Sequence, residues 1–405
     1  MSDLLPRLLR HGYRAVAADR AARGVTETTG DAYASRLTGR RAVVLRGGDG
    51  ARLFYDESVV RRKGAIPFPL RGLLFGNGAV HGLDDADHKA RKAVFLDLLG
   101  AVRVAPVAAS VAERLERRVG TWADRPVRLY DELVEVYGRA VLEWGGVEEP
   151  PSEARRWSHE LARIVDGFGG DPRAYPRGWV ARARCDRWAR RLVEETRSGT
   201  RNPPPGSALA VWAATDLSAR VAGVELLNVL RPTVAVAWLG AFAGLYLDEA
   251  PSWKERLRTG RTTDDHVAFA QEVRRCAPFV PVLAGKVRRA ATHQGIRLRR
   301  GDRVVLDVWG TDQWAPYWRD PAVFRPERFL DGEPGPFDLV PQGGGPRTGH
   351  RCPGEPLTLL LLAETVRVLA HVDRRVDPGA HDVSLARMPT LPQDGLLLSP
   401  HRTGR

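Results

Sequence analysis

The sequence predicts a mainly α protein with a minor β component, folded as one domain over residues 1–405, and three observations carry that expectation. Apolar residues recur at three- and four-residue spacing from Asp84 to about Arg300, the period of helices with one buried face. Strand-like runs are short and few. The Pro-rich stretch "RNPPPGS" (201–207) is flanked by helical periodicity on both sides, so it reads as a rigid surface connection and not as a domain boundary.

In chain order, residues 1–40 read as polar helix with some loop. "RAVVLRGGDGARLFYDE" then reads as a hairpin, two short strands around the turn dipeptide Asp49–Gly50. The helical region follows, including a long apolar helix over 218–248. "GDRVVLDVWG" is strand-like. Residues 316–350, rich in Pro and Gly, predict an ordered meander before a final helix near Leu357–Val372. No internal repeat or low-complexity tract interrupts this plan.

The 405 residues are 43% hydrophobic, enough for a large core. A net charge of +13 invites a nucleic-acid reading. The excess is mostly Arg, however, scattered and interleaved with Asp and Glu. The densest patch, Arg182, Arg184, Arg187, Arg190 and Arg191, has helical spacing and reads as a solvated face. No zinc-finger spacing or aromatic RNA-binding motif accompanies it, so no nucleic-acid partner is expected; a basic surface equally suits anionic small molecules. Cys185, Cys276 and Cys352 form no disulfide framework, which fits a reducing cytoplasm. "MSDLLPRLLRHGY" lacks the apolar core of a signal peptide. The longest apolar run, Thr233 to Leu247, is shorter than a membrane span. A soluble cytoplasmic chain without stable membrane insertion is expected.

The most informative stretch is "LVPQGGGPRTGHRCPGEPLTLLLLAETVRVLA". Its glycines let backbone approach another group closely. Cys352 stands just before a helix, where N–H groups favour a thiolate, a nucleophile or metal ligand. Gly344 and Gly349 have phosphate-loop spacing, but His350–Arg351 stand where Lys–Ser/Thr is needed. His350 and Cys352 lack a second pair for zinc. A ligating cysteine and an unreactive structural one both fit these local residues. Elsewhere, "QEVRRCAPFVP" places Glu272 and Arg275 one helical turn apart, and "FRPERF" supplies Arg328. Apolar and Pro-rich flanks suggest a buried, bidentate Glu–Arg–Arg network tying the meander to a helix.

Helical Glu-x-x-Arg, then Pro-Glu-Arg-Phe, then Cys-Pro-Gly heading a long helix resemble the cytochrome P450 superfamily across roughly residues 40–400. The resemblance implies one triangular domain with haem b between a long distal helix and the proximal cysteine loop. It makes Cys352 the axial ligand of haem iron and Glu272, Arg275 and Arg328 structural. His350 stands where the family usually has a propionate-binding Arg, and His350 or Arg351 takes that role. "DHKARK" offers His88 with Lys92 as a further propionate contact; Arg91 is a rival for Lys92, and a solvated charged face is the alternative for the whole stretch.

The long helix carries "LLNVLRPTVAVAWLG". Oxygen-activating members have an acidic residue before Thr on this helix; here Arg231–Pro232–Thr233 occupies the place. A buried guanidinium costs several kcal/mol unless an anion meets it, and Pro inside a helix costs about 3 kcal/mol. Pro232 is expected to bend the helix and make room, and Ala235 is too small to refill it. Arg231 and the "PQGGG…TGHRCPGE" loop resemble the bacterial fatty-acid peroxygenase branch. That resemblance implies a fatty-acid carboxylate on Arg231, hydrogen peroxide used directly with no obligatory reductase, and 2- or 3-hydroxy acids or terminal alkenes as products. The alternative for Arg231 is pairing with a protein carboxylate such as Glu225.

"LLFGNGAVHGLDD" is similar to this branch too. His81 occupies a position that is Gln in typical hydroxylases and His in the best-known decarboxylase, and Phe75 matches the aromatic packed beside it. Tail-binding positions fall on Leu74, Val165, Phe168, Ala235, Phe279, Val280 and Val282; Val280 departs from a Gly and Val282 from an aromatic. The rival functions are a monooxygenase fed by a redox partner and a non-catalytic haem or fatty-acid binding protein.

Overall fold

The computed structural model describes residues 3–25, 31–123, 125–169, 171–260 and 262–401. The chain opens with α1 (Leu4–His11), capped by the Asp3 carboxylate, which accepts from Leu5 N at 2.9 Å, and α2 (Ala15–Ala21). A hairpin follows, with β1 (Ala32–Leu37) antiparallel to β2 (Arg40–Leu45). Its turn is Thr38–Gly39, with φ of 53° and 74°, the paired left-handed residues that a two-residue hairpin loop requires. The sequence-based hairpin around Asp49–Gly50 is therefore misplaced. That dipeptide lies inside α3 (Gly47–Tyr55), where Asp49 sits in the first turn and meets the positive end of the helix dipole.

After β3 (Val60–Arg61) the chain is mostly helical: α4 (Phe68–Leu74), α5 (Asp85–Leu98) and α6 (Ala101–Gly120), then β4 (Val127–Arg128). Next come α7 (Leu129–Trp144), α8 (Pro151–Asp166), α9 (Ala174–Arg197), α10 (Ala208–Ala213), α11 (Ala219–Glu249), α12 (Pro251–Thr259) and α13 (Thr263–Cys276). "RNPPPGS" joins α9 to α10 as a loop, as expected. The helical region ends earlier than Arg300. Pro278 and Pro281 follow α13, deny the backbone two donors and turn the chain into β5 (Val282–Val287), β6 (Ala291–His293) and β7 (Ile296–Leu298).

"GDRVVLDVWG" supplies β8 (Arg303–Asp307), which runs into α14 (Val308–Asp312). The main sheet has the order β1-β2-β8-β5-β3, with β2 and β8 parallel. The meander after α14 contains one short 3-10 turn, Pro326–Phe329. It leads to α15 (Glu355–Ala370), which starts two residues before the expected Leu357 because Pro356 is accommodated in the first turn. β9 (Arg375–Val376) and β10 (Leu397–Ser399) close a small sheet with β4.

The 31-residue α11 crosses the centre of the helical part and packs on α7, α9 and α15. It is long and apolar enough to cross a membrane, but 94% of its most apolar window is buried against the rest of the fold. The helix continues unbroken through Pro232. Pro232 cannot donate to the Asn228 carbonyl, and the Thr233 hydroxyl donates to the Val229 carbonyl at 2.9 Å.

Candidate active site

The cysteine loop is built from backbone. Cys352 N donates to the Gln342 carbonyl at 2.9 Å. Gly343 has φ of 90°, and a Cβ there would stand 2.6 Å from the Tyr55 hydroxyl, so only glycine lets the loop pass. Helix α15 begins three residues after Cys352, and the dipole argument predicts a lowered thiol pKa. Desolvation wins instead: it pushes the Cys352 pKa up, against the Gly354 N–H and the charge of Lys92. A thiolate here needs a cation to meet it. Cys352 keeps accessible surface although protein packs around it.

A basic cluster stands beside it. The His88 and His350 rings stack at 3.9 Å, and Lys92 Nζ donates to the Arg351 carbonyl. Burial pushes His88 down to about 4, helped by His350 and Lys92. Asp84 lies 3.5 Å from His350 and accepts from Arg62 N at 2.8 Å and Lys63 N at 2.9 Å. The alternatives are thus separated. Lys92 joins the cluster, whereas Arg91 turns away to Glu225 at 2.7 Å. His350 joins it, whereas the Arg351 guanidinium is tied to Glu355. His88 and Lys92 are buried, so the solvated-face alternative fails for those two.

On the distal side, Arg231 is 5% exposed. Its NH2 reaches Asn228 Oδ1 at 3.4 Å, and its Nε has no partner among the described residues. Burial, then the charge of Arg182, pushes the guanidinium down to about 9, so it stays charged at neutral pH. The rival Glu225 is taken: it accepts from Arg91 at 2.7 Å, Val80 N at 2.8 Å and Asn228 Nδ2 at 3.1 Å. Arg231 is a buried cation with no carboxylate paired to it among the described residues.

Phe75 stacks on His81 at 4.0 Å, and the Arg231 guanidinium carbon lies 5.9 Å from the same Phe75 ring. His81 is exposed by surface area although protein packs around it. Burial, then the Arg231 charge, holds its pKa well below the usual imidazole value, which favours the neutral ring.

The tail positions divide. Leu74 ends α4, Val165 lies near the end of α8 with Phe168 just beyond, and Ala235 is on α11 one turn from Arg231. Phe279 and Val280 line a small cavity with Leu239 and Gln342. Val282 packs instead against the cluster holding Tyr13 and Val305. Glu272, Arg275 and Arg328 form the expected network: Arg275 meets Glu272 through two bonds of 2.7 Å, and Arg328 Nε lies 3.3 Å from the same carboxylate. Arg182, expected on a solvated face, is 1% exposed and pairs with Asp186. The face opposite carries Arg184, Arg187 and Arg191.

Sequence reasoning missed Gln342 and Arg274. Gln342 Nε2 lies 3.8 Å from Cys352 Sγ and donates to the Thr358 hydroxyl at 2.9 Å. Arg274 donates to Gln342 Oε1 at 3.0 Å and meets Glu355. The Arg274–Arg275 doublet in an otherwise apolar segment was the available signal.

The cytochrome P450 family model matches residues 267–365. Among solved structures, one of cytochrome P450 OleT, a variant in complex with arachidonic acid, superposes with a TM-score of 0.92 and 30% identity over 98% of this chain and 96% of that one. A structure of cytochrome P450SP alpha superposes with a TM-score of 0.92 and 33% identity over 98% of both chains. The chain belongs to the cytochrome P450 family. It sits on the branch that holds these two proteins, and haem b is the cofactor of the family. Curated relatives include Cytochrome P450 71D2 of Catharanthus roseus, 34% identical over 32% of this chain, and Carnosic acid synthase of Rosmarinus officinalis, 33% identical over 30%. The matched region spans about a quarter of each, 27% and 25%.

The residues present fit haem. A thiol raised by burial, on a loop cleared by glycine, suits a metal ion. Lys92 supplies a cation and the His88 and His350 rings supply N–H donors that the propionates of a haem would accept from, with the Glu57 carboxylate within 4.8 Å of both rings.

Proposed function

We propose that this P450 oxidises fatty acids with hydrogen peroxide, and that Arg231 holds the substrate carboxylate. The observation that carries the reading is the buried Arg231 guanidinium, for which the rival carboxylate, Glu225, is engaged by Arg91. A planar guanidinium meets a carboxylate through two short charge-assisted bonds, and a fatty acid brings that anion with an apolar tail. Two of the similar structures hold carboxylic acids, arachidonic acid and (R)-ibuprophen.

When bound, haem b supplies the oxidising chemistry, with Cys352 as its thiolate ligand and His88, Lys92 and His350 on its propionates. Helix α11 offers no acid of its own beside Thr233, whose hydroxyl is committed to Val229. The carboxylate held on Arg231 replaces it: it takes a proton from hydrogen peroxide and returns it to the departing oxygen, which leaves as water. Charge and acid–base group thus arrive together with the substrate, so peroxide is consumed when there is a fatty acid to oxidise. Phe75 walls the headgroup, and the neutral His81 ring stands ready to exchange a proton there, which bears on whether a hydroxy acid or an alkene leaves. Leu74, Val165, Phe168, Ala235, Phe279 and Val280 are assigned to the tail.

The test is to incubate the haem-loaded protein with peroxide and saturated fatty acids of several lengths and to identify products by mass spectrometry. Expected are 2- or 3-hydroxy acids, terminal alkenes one carbon shorter, or both. Turnover with a reductase and dioxygen but none with peroxide would overturn the reading, as would a fatty-acid spectral shift with no product under any oxidant.

A further inference from the structure

The groove between α8 and α9 lies apart from the site above. Arg156 of α8 and Arg184, Arg187 and Arg191 of α9 line a cavity of about 490 Å3, with Glu153 as the lining carboxylate. That volume falls within the range of small-molecule sites. Its floor is rigid. The Trp157 and Trp188 rings stack at 4.3 Å with planes 9° apart, both nearly fully buried, and Trp188 Nε1 donates to Glu149 at 3.1 Å. Arg156 is held over the Trp157 ring at 4.8 Å.

Arg184, Arg187 and Arg191 recur at three- and four-residue spacing and share one face of α9, where like charges repel. Three of the four lining guanidinia have a single carboxylate each: Arg156 has Glu153 at 3.0 Å, Arg184 shares Glu160 at 3.0 Å, and Arg191 faces Glu195 at 3.5 Å. The Arg156–Glu153 and Arg191–Glu195 pairs are exposed, weak and re-form readily around a stronger anion, whereas the Glu160 carboxylate of the Arg184 pair is buried. Arg187 has no carboxylate partner among the described residues. An apolar floor beneath converging cations lowers the local dielectric and strengthens their hold on an anion.

We infer that this groove binds a small molecule carrying vicinal phosphates. Guanidinium forks match phosphate oxygens bidentately, and several of them converging favour a di- or triphosphate over a lone carboxylate. The concave shape between two helices favours a compact ligand over a flat membrane or an extended nucleic acid. The assignment does not depend on the fatty-acid reading.

The haem-loaded chain titrated with inorganic tripolyphosphate by calorimetry, at about 0.15 M salt to screen diffuse attraction, tests it. Saturable one-site binding is expected, weakened about tenfold by Arg187→Ala and further by Arg187→Glu, with the haem absorption spectrum unmoved. A parallel titration with ATP tells whether a nucleoside adds affinity; equal or tighter binding both support the site. Absence of saturable binding, or affinity unchanged in Arg187→Glu, would overturn the inference. So would anionic phospholipid vesicles or duplex RNA binding through Arg187 more tightly than tripolyphosphate, which would make the face a general polyanion surface.

Discussion

The proposed function gives Cys352, Arg231 and His81 different chemical jobs, and single substitutions separate them. Cys352→Ser should fold around haem yet lose the thiolate-type absorption of the reduced, carbon monoxide-bound form; retention of that spectrum would place the ligand elsewhere. Arg231→Lys keeps the charge but replaces a planar fork with a point donor, so peroxide-driven turnover should fall by roughly 10- to 100-fold while haem content is unchanged. His81→Gln should shift products from alkene toward hydroxy acid, and an unchanged ratio in mass spectrometry would remove His81 from the partition. Burial and the Arg231 charge both oppose protonation of its ring, so the partition should depend less on pH than a free imidazole would make it.

At the scale of elements, the meander is tied to α13 through Glu272. Its carboxylate is fully buried and accepts from Arg275, Arg328 and Arg325 N, the last at 2.7 Å. Glu272→Ala leaves buried guanidinia without an anion and should cost about 3–5 kcal/mol, read as a lowered urea midpoint. Glu135 on α7 gives a pH-dependent counterpart. Burial alone would raise its pKa, but His159, Arg118 and Arg155 outweigh burial and hold it at about 2. A depressed carboxylate stabilises the fold above its unfolded value and loses that contribution as pH falls. Glu135→Gln should therefore lower the melting temperature at neutral pH, by on the order of 1–2 kcal/mol in stability, and the gap should close between about pH 5 and pH 2. A gap that widens in acid would contradict this.

Elements and site were legible in the sequence to different degrees, for physical reasons. Glu272–Arg275–Arg328 could be read because charges in apolar, Pro-rich surroundings must meet one another. The hairpin was misplaced because Thr38–Gly39 and Asp49–Gly50 are both plausible turns, and only the parallel pairing of β2 with β8 decides between them. Lys92 and Arg91 are adjacent on α5, and the roughly 100° between successive helical residues, not their chemistry, sends one to the cysteine loop and the other to Glu225. Val282 was placed with the tail pocket by position alone, but strand alternation turns it onto the Tyr13 core. Arg182 looked solvated because its spacing matched its neighbours, while its phase on α9 points inward.

Across the whole molecule, the cysteine loop on one side and α11 on the other bring together a thiol wanting a cation and a guanidinium wanting an anion. In the proposed function, haem answers the first need and a fatty acid the second. The central claim is that Arg231 is completed by the substrate carboxylate, and it is tested most directly by comparing a fatty acid with its methyl ester in the native protein and in Arg231→Ala. Peroxide-driven product formation should be seen with the acid in the native protein alone, falling at least about 100-fold with the ester or the variant while haem stays bound. Equal turnover of acid and ester, or undiminished turnover by Arg231→Ala, would contradict it.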